Sequence, residues 1–287
     1  MDYANPDALV STEWLAGHLE APDVRIVDAT WHMPFMKRDA RAEYEACHIP
    51  GAVYFDIDDI ADPDTDLPHM LPSPEKFSSR VRKLGLGDGN RIVVYSSNGS
   101  FSAAARVWWM FRVFGHEDVA VLNGGLAKWQ AEDRPVEDVE PIVRERHFTA
   151  RVNHFLVRDV ERLIKNVDTG KELVIDARTA GRFAGTEPEP RPCRKKGHIP
   201  GSVNLPFMDI LDKDNHLTFK SADDISAAVD AAGIDRTKTM VTSCGSGVTA
   251  AVLSLGFFLL GYEDVAVYDG SWSEWGDHYD TPVAGGD

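Results

Sequence analysis

The chain has 287 residues, with 30 Lys and Arg against 46 Asp and Glu, a formal charge of −16 at pH 7. That length suits two average domains or one large one, and the acid excess argues against nucleic acid as the main partner, because phosphate binding needs a basic surface. With 43% hydrophobic and 9% aromatic residues there is material for a core, which excludes disorder over most of the chain.

The start, Met1 to Asp7, has neither a basic nor an apolar signal region. The β-branched runs from Val24 to Val27, Arg91 to Tyr95 and Val119 to Leu122 predict buried strands, and the apolar run from Ser102 to Phe114 predicts a helix. Next comes a stretch from Ala131 to Arg146 rich in Glu, Asp, Arg and Val, with Pro135 and Pro141, which reads as a linker. Beyond it, Leu173 to Ile175, Thr239 to Ser243 and Val265 to Tyr268 predict a second set of strands, with a helix from Val248 to Leu260. Strands alternating with helices imply a mostly parallel sheet. Both long helices are apolar nearly all round and are expected to be buried, so the Trp108-Trp109 pair belongs to the core. The most apolar stretch, Ala250 to Leu260, is about half a membrane span. These readings lead to a soluble cytoplasmic protein with no membrane partner, and three cysteines suit a reducing compartment.

The second half repeats the first. Val27-Asp28-Ala29 recurs as Ile175-Asp176-Ala177, and His48-Ile49-Pro50-Gly51 recurs verbatim as His198-Ile199-Pro200-Gly201. Gly115-His116-Glu117-Asp118-Val119-Ala120-Val121 recurs as Gly261-Tyr262-Glu263-Asp264-Val265-Ala266-Val267. Ordered matches with slightly drifting offsets point to a duplicated domain: 1–132, a linker at 133–150, and 151–287. His48 and His198 read as architectural, because both copies keep them.

The copies differ where a strand turns into the apolar helix. The first carries Asn98; the second carries Cys244 within Cys244-Gly245-Ser246-Gly247-Val248-Thr249-Ala250. A Cys in a Gly-containing turn that opens a helix lies among unpaired backbone N–H groups at a positive dipole end. Those groups favour a thiolate and cradle an anion held above the sulfur. From turn position alone, a buried, inert cysteine is an equal alternative.

That loop resembles the active loop of the two-domain rhodanese family, in its 3-mercaptopyruvate sulfurtransferase branch, and the resemblance covers almost the whole chain. The duplicated His-Ile-Pro-Gly, the Asp-Ala strands and Asp269-Gly270-Ser271-Trp272 all fit. It implies an α/β fold of tandem rhodanese-like domains, each a mostly parallel sheet flanked by helices, with an inactive first domain and a catalytic second one. It implies that Cys244 carries sulfur as a persulfide, stabilised by backbone N–H groups from Gly245 through Gly247, Val248 and Thr249. Thiosulfate-preferring relatives have basic residues at the second and third loop positions. Gly245 and Ser246 stand there instead, which favours mercaptopyruvate over thiosulfate, the runner-up donor.

A single substrate carboxylate is best gripped by Arg. By resemblance to the Gly-Arg-Phe and Glu-Pro-Arg stretch of mercaptopyruvate sulfurtransferases, Arg182 and Arg191 bind the substrate, while Arg178 is structural and pairs with nearby acids. The Arg194-Lys195-Lys196 run either draws an anion inward or is a solvated loop. In the first domain, Asp58 and His69 resemble family residues that approach the active loop. With Ser246 they would form a relay in which Asp58 orients His69 and His69 polarises the Ser246 hydroxyl.

Cys47, Cys193 and Cys244 show no metal-ligand spacing, so no metal is expected, and the persulfide chemistry that the resemblance implies needs no organic cofactor. Cys193, among basic residues, reads as an exposed reactive thiol with a redox-sensing role as a hypothesis. The expected partners are the donor 3-mercaptopyruvate and a thiol acceptor such as thioredoxin or a small thiol, or cyanide. The sequence argues against a cysteine phosphatase, which needs an Arg six residues after the nucleophile, where Ala250 stands. A non-catalytic module suits the first copy alone.

Overall fold

The computed structural model describes residues 2–97 and 101–285; Asn98 lies outside the described residues. In the first half, strands β1 (Leu9–Val10), β2 (Val24–Asp28), β3 (Val53–Tyr54), β4 (Arg91–Tyr95) and β5 (Val119–Leu122) form one sheet in the order β1-β5-β4-β2-β3. In the second half, β6 (Val157–Arg158), β7 (Glu172–Asp176) and β8 (Val203–Asn204) precede a small hairpin, β9 (Leu211–Asp212) with β10 (Thr218–Phe219). Strands β11 (Thr239–Ser243) and β12 (Ala266–Tyr268) follow, and the sheet order is β6-β12-β11-β7-β8. The two orders are the same order written twice, and every pairing within these sheets is parallel.

The central strands Arg-Ile-Val-Val-Tyr and Thr-Met-Val-Thr-Ser are buried along almost their whole length, as parallel strands covered on both faces require. Sequence patterning located all six of the longer strands. The edge strands β1, β3, β6 and β8 were not foreseen, because two residues carry no period.

The two apolar helices, Phe101–Val113 and Val248–Leu259, pack against each other across the halves. This explains why each is apolar all round: one face covers its own sheet and the other covers its twin. Trp108 meets Phe258 at 5.4 Å between ring centroids, and one continuous core cluster runs through both halves. Each fully buried Leu or Phe there contributes about 1.5–3 kcal/mol.

Local turns repeat too. Thr30 N–H donates to Asp28 Oδ1 at 2.8 Å, and Arg178 N–H donates to Asp176 Oδ1 at 2.9 Å. His48 and His198 each bond a backbone carbonyl through Nδ1, that of Tyr44 (2.7 Å) and of Phe183 (2.8 Å), and each stacks on that residue's ring. Both are architectural. No helix among the described residues is long and apolar enough to cross a membrane.

Candidate active site

Strand β11 ends at Ser243, and Cys244 begins the turn into the 248–259 helix. Gly247 makes that turn at φ +74°, a left-handed conformation where a side chain would strain, and a Cβ would stand 2.7 Å from the Asp269 carbonyl oxygen. Cys244 is 2% exposed and lines a cavity of about 730 Å³ between the halves. The second half supplies Arg182, Glu189, Arg191 and Trp272; the first supplies Trp31, Met33, Phe35 and the 64–68 segment.

A residue that spacing did not single out organises the loop. Ser271 Oγ accepts the N–H groups of Cys244 and Gly247, both at 3.1 Å, and donates to the Tyr268 carbonyl at 2.8 Å. It lies 4.0 Å from the Cys244 sulfur. Ser271 itself adopts φ +49°, backbone strain of the kind that persists where surroundings over-determine it. The Gly247 N–H is therefore engaged by Ser271, a correction to its expected place in the anion cradle. Val248 and Thr249 open the helix, where N–H groups precede the intrahelical ladder.

The structure brings Asp58, His69 and Ser246 into one chain, but with an extra link. His69 Nδ1 meets Asp58 Oδ1 at 2.6 Å, while the Trp31 indole N–H donates to Asp58 Oδ2 at 2.8 Å. His69 Nε2 faces Arg191 Nη2 at 3.0 Å, and Arg191 Nη1 donates to Ser246 Oγ at 3.2 Å. Arg191 thus stands between His69 and Ser246, where direct contact was expected. Since a guanidinium only donates, His69 must accept through Nε2 and carry its proton on Nδ1. Burial, reinforced by Arg191 and Arg106, holds His69 below its ordinary value against the pull of Asp58. Burial alone would raise Asp58, but the hydrogen bond and charge of His69, with Trp31 and Arg191, hold it below the usual carboxylate value.

A histidine in the unfolded chain titrates near 6.5, and folded His69 titrates lower, so below about pH 6.5 the unfolded state takes up the proton first. His69 therefore costs no stability above that pH and erodes it as pH falls from there toward its folded value. Protonated, it would press a second N–H against the Arg191 guanidinium. Activity is expected to hold from pH 8 to 6.5 and fall on an acid limb below it. In a pH–rate profile, His69→Gln should flatten that limb; an unchanged limb would count against His69 as its source.

Arg178 is fully buried and bonds Asp176 and the Gly197 carbonyl, a structural role as expected. Arg182 Nη2 lies 2.8 Å from where a Cβ on residue 245 would stand, so the glycine gives it room over the loop. Cys193 corrects the sequence reading. It is half-buried, its thiol donates to the Lys195 carbonyl at 3.0 Å, and burial pushes the thiol up, which disfavours a reactive thiolate. Lys195 ties down the C-terminal segment through the His278 carbonyl (2.5 Å) and the Thr281 carbonyl (2.7 Å), and Arg194 lies over the Tyr279 ring.

With this geometry in place, residues 11–132 and 159–278 each match the profile of the rhodanese-like domain. The chain belongs to the rhodanese family. It is 41% identical over 273 residues to 3-mercaptopyruvate sulfurtransferase of Homo sapiens, covering 93% of this chain and 91% of that one. It is 42% identical over 275 residues to thiosulfate sulfurtransferase of Bos taurus, with the same coverages. The crystal structure of SseA from Escherichia coli, reported with the catalytic mechanism of 3-mercaptopyruvate sulfotransferases, superposes with a TM-score of 0.84 at 38% identity, over 93% of this chain and 99% of that one. This rhodanese is a sulfurtransferase, built from two rhodanese domains.

Proposed function

We propose that the chain transfers sulfur from 3-mercaptopyruvate through a persulfide on Cys244. The observation that carries this reading is the buried Cys244 lining one cavity with Arg182 and Arg191, in a loop whose second and third residues are the neutral Gly245 and Ser246. The arginines hold the donor carboxylate so that its sulfur lies over the Cys244 thiolate. The thiolate attacks that sulfur, an S–S bond forms, and the donor's C–S bond breaks with its electron pair passing to the pyruvate enolate. Ser246, whose oxygen accepts from Arg191, keeps its own O–H to donate toward that enolate. Asp58 and His69 serve by fixing Arg191. The loop N–H groups of Gly245, Ser246, Val248 and Thr249 stabilise the anionic persulfide. A thiol, or cyanide in an assay, then takes the outer sulfur. Three free cysteines fit work in a reducing compartment such as the cytoplasm.

Thiosulfate is the second reading, favoured by the bovine relative's equal similarity. Steady-state kinetics with cyanide as acceptor separates the two. The kcat/KM for 3-mercaptopyruvate should exceed that for thiosulfate by at least about tenfold, given the neutral loop; the reverse order would assign thiosulfate.

A further inference from the structure

Glu189 lies between two arginines in the wall of the catalytic cavity. Its Oε1 accepts from Arg178 Nη1 at 2.7 Å, and its Oε2 accepts from Arg182 Nε at 3.1 Å and from Arg182 Nη2. The carboxylate is 10% exposed, Arg182 is 19% exposed and Arg178 is fully buried. Arg178 is locked by Asp176 and the Gly197 carbonyl, so Glu189 is anchored on that side and is not displaced as a unit.

Two consequences follow for a bound donor. The Nε–Nη2 edge of Arg182, one of the forks that grips an oxyanion with two parallel bonds, is already occupied by protein carboxylate. The charges also cancel in pairs. Asp176 answers Arg178, and Glu189 answers Arg182, which leaves Arg191 as the one of these three arginines with no carboxylate at ion-pair distance among the described residues. Asp64, Asp66 and Asp277 at the rim add further negative potential.

We propose that Glu189 is a donor-specificity residue, whose carboxylate cancels Arg182 and so matches the cavity to a monoanionic sulfur donor and against a dianionic one. The proposal rests on the sulfur-donor reading above and adds to it a determinant outside the Cys244 loop. A merely structural Glu189 would affect both donors alike; a charge-setting Glu189 changes their ratio.

The experiment compares kcat/KM for thiosulfate, a dianion, and 3-mercaptopyruvate, a monoanion, in the parent, Glu189→Gln and Glu189→Asp. In Glu189→Gln the thiosulfate-to-mercaptopyruvate ratio should rise at least about tenfold, as one freed charge acting at close range requires. Glu189→Asp, which keeps the charge, should stay within about threefold of the parent. A ratio unchanged in Glu189→Gln, with both donors falling together or neither falling, overturns the proposal. Should Glu189→Gln fail to fold, competitive inhibition of the parent decides: pyruvate should bind at least about tenfold more tightly than sulfate, and equal binding overturns the proposal. Charging of parent Cys244 with sulfur, read by mass, is scored separately. No charging by either donor contradicts the underlying reading, whereas charging with an unchanged ratio contradicts only the role of Glu189.

Discussion

Cys244→Ser should lower pyruvate release from 3-mercaptopyruvate by at least about a thousandfold while leaving the fold intact. Serine is close to cysteine in size, and the loop is held by backbone and Ser271 contacts that do not use the sulfur. The backbone N–H of residue 244 would still reach Ser271 Oγ, and its carbonyl would still accept from the Trp272 N–H, 2.9 Å away. What changes is chemistry. A serine hydroxyl needs a base to attack, and the nearby candidates are committed: Ser271 Oγ already accepts two N–H groups, and the His69 lone pair is taken by Arg191. A residual rate within about tenfold of the parent would mean that pyruvate leaves by a route without the thiolate.

Arg106→Met should cost about 3–5 kcal/mol of folding stability, because it leaves a buried carboxylate without its partner. Arg106 sits on the 101–113 helix of the first domain and is fully buried. It pairs with Asp269 of the second domain at 2.6 Å and donates to the His69 carbonyl. It also reaches the Gly247 carbonyl at 3.4 Å and lies 4.4 Å from the Trp109 ring centre. Methionine keeps the packing but strands the Asp269 charge, whose other contact is the Leu71 N–H at 2.8 Å. One guanidinium thus clamps the domains, the His69 segment and the active turn, and His69 is held at φ +63° beside it. Activity should therefore fall along with stability. Urea unfolding followed by tryptophan fluorescence gives the test; a loss under about 1 kcal/mol would mean that water or movement relieves the buried carboxylate.

How far such features can be read from sequence depends on whether their signal is local. The duplication was legible because identical short motifs recur in order, and the six longer strands and two apolar helices were legible because burial imposes runs that a window detects. The Cys244 turn was legible for the same reason: strand, glycines and helix are contiguous. Ser271 was not, because strand β12 delivers it to the loop by pairing beside β11, and no spacing near Cys244 records that. Arg106 did leave a mark, a cation in the middle of a mostly apolar helix, which implies a buried partner without naming it. Glu189 stood in the same stretch as Arg182 and Arg191, yet only folding shows which arginines it takes. The expected contact of His69 with Ser246 became a contact through Arg191, since sequence order cannot reveal which of several convergent groups is interposed. Cys193 misled for a related reason: basic neighbours in sequence suggested a reactive thiol, whereas its partners in space are the Lys195 carbonyl and the apolar cluster around Trp272.

Whether Cys244 carries the sulfur is read most directly from the mass of its peptide. The protein is incubated with 3-mercaptopyruvate without acceptor, digested under non-reducing conditions and compared with an untreated control. The expected result is one extra sulfur on the peptide containing Cys244, none on those containing Cys47 or Cys193, and loss of that sulfur when cyanide is added. An unmodified Cys244 peptide in a sample that has released pyruvate, or the extra sulfur on Cys193 instead, would contradict that role of Cys244.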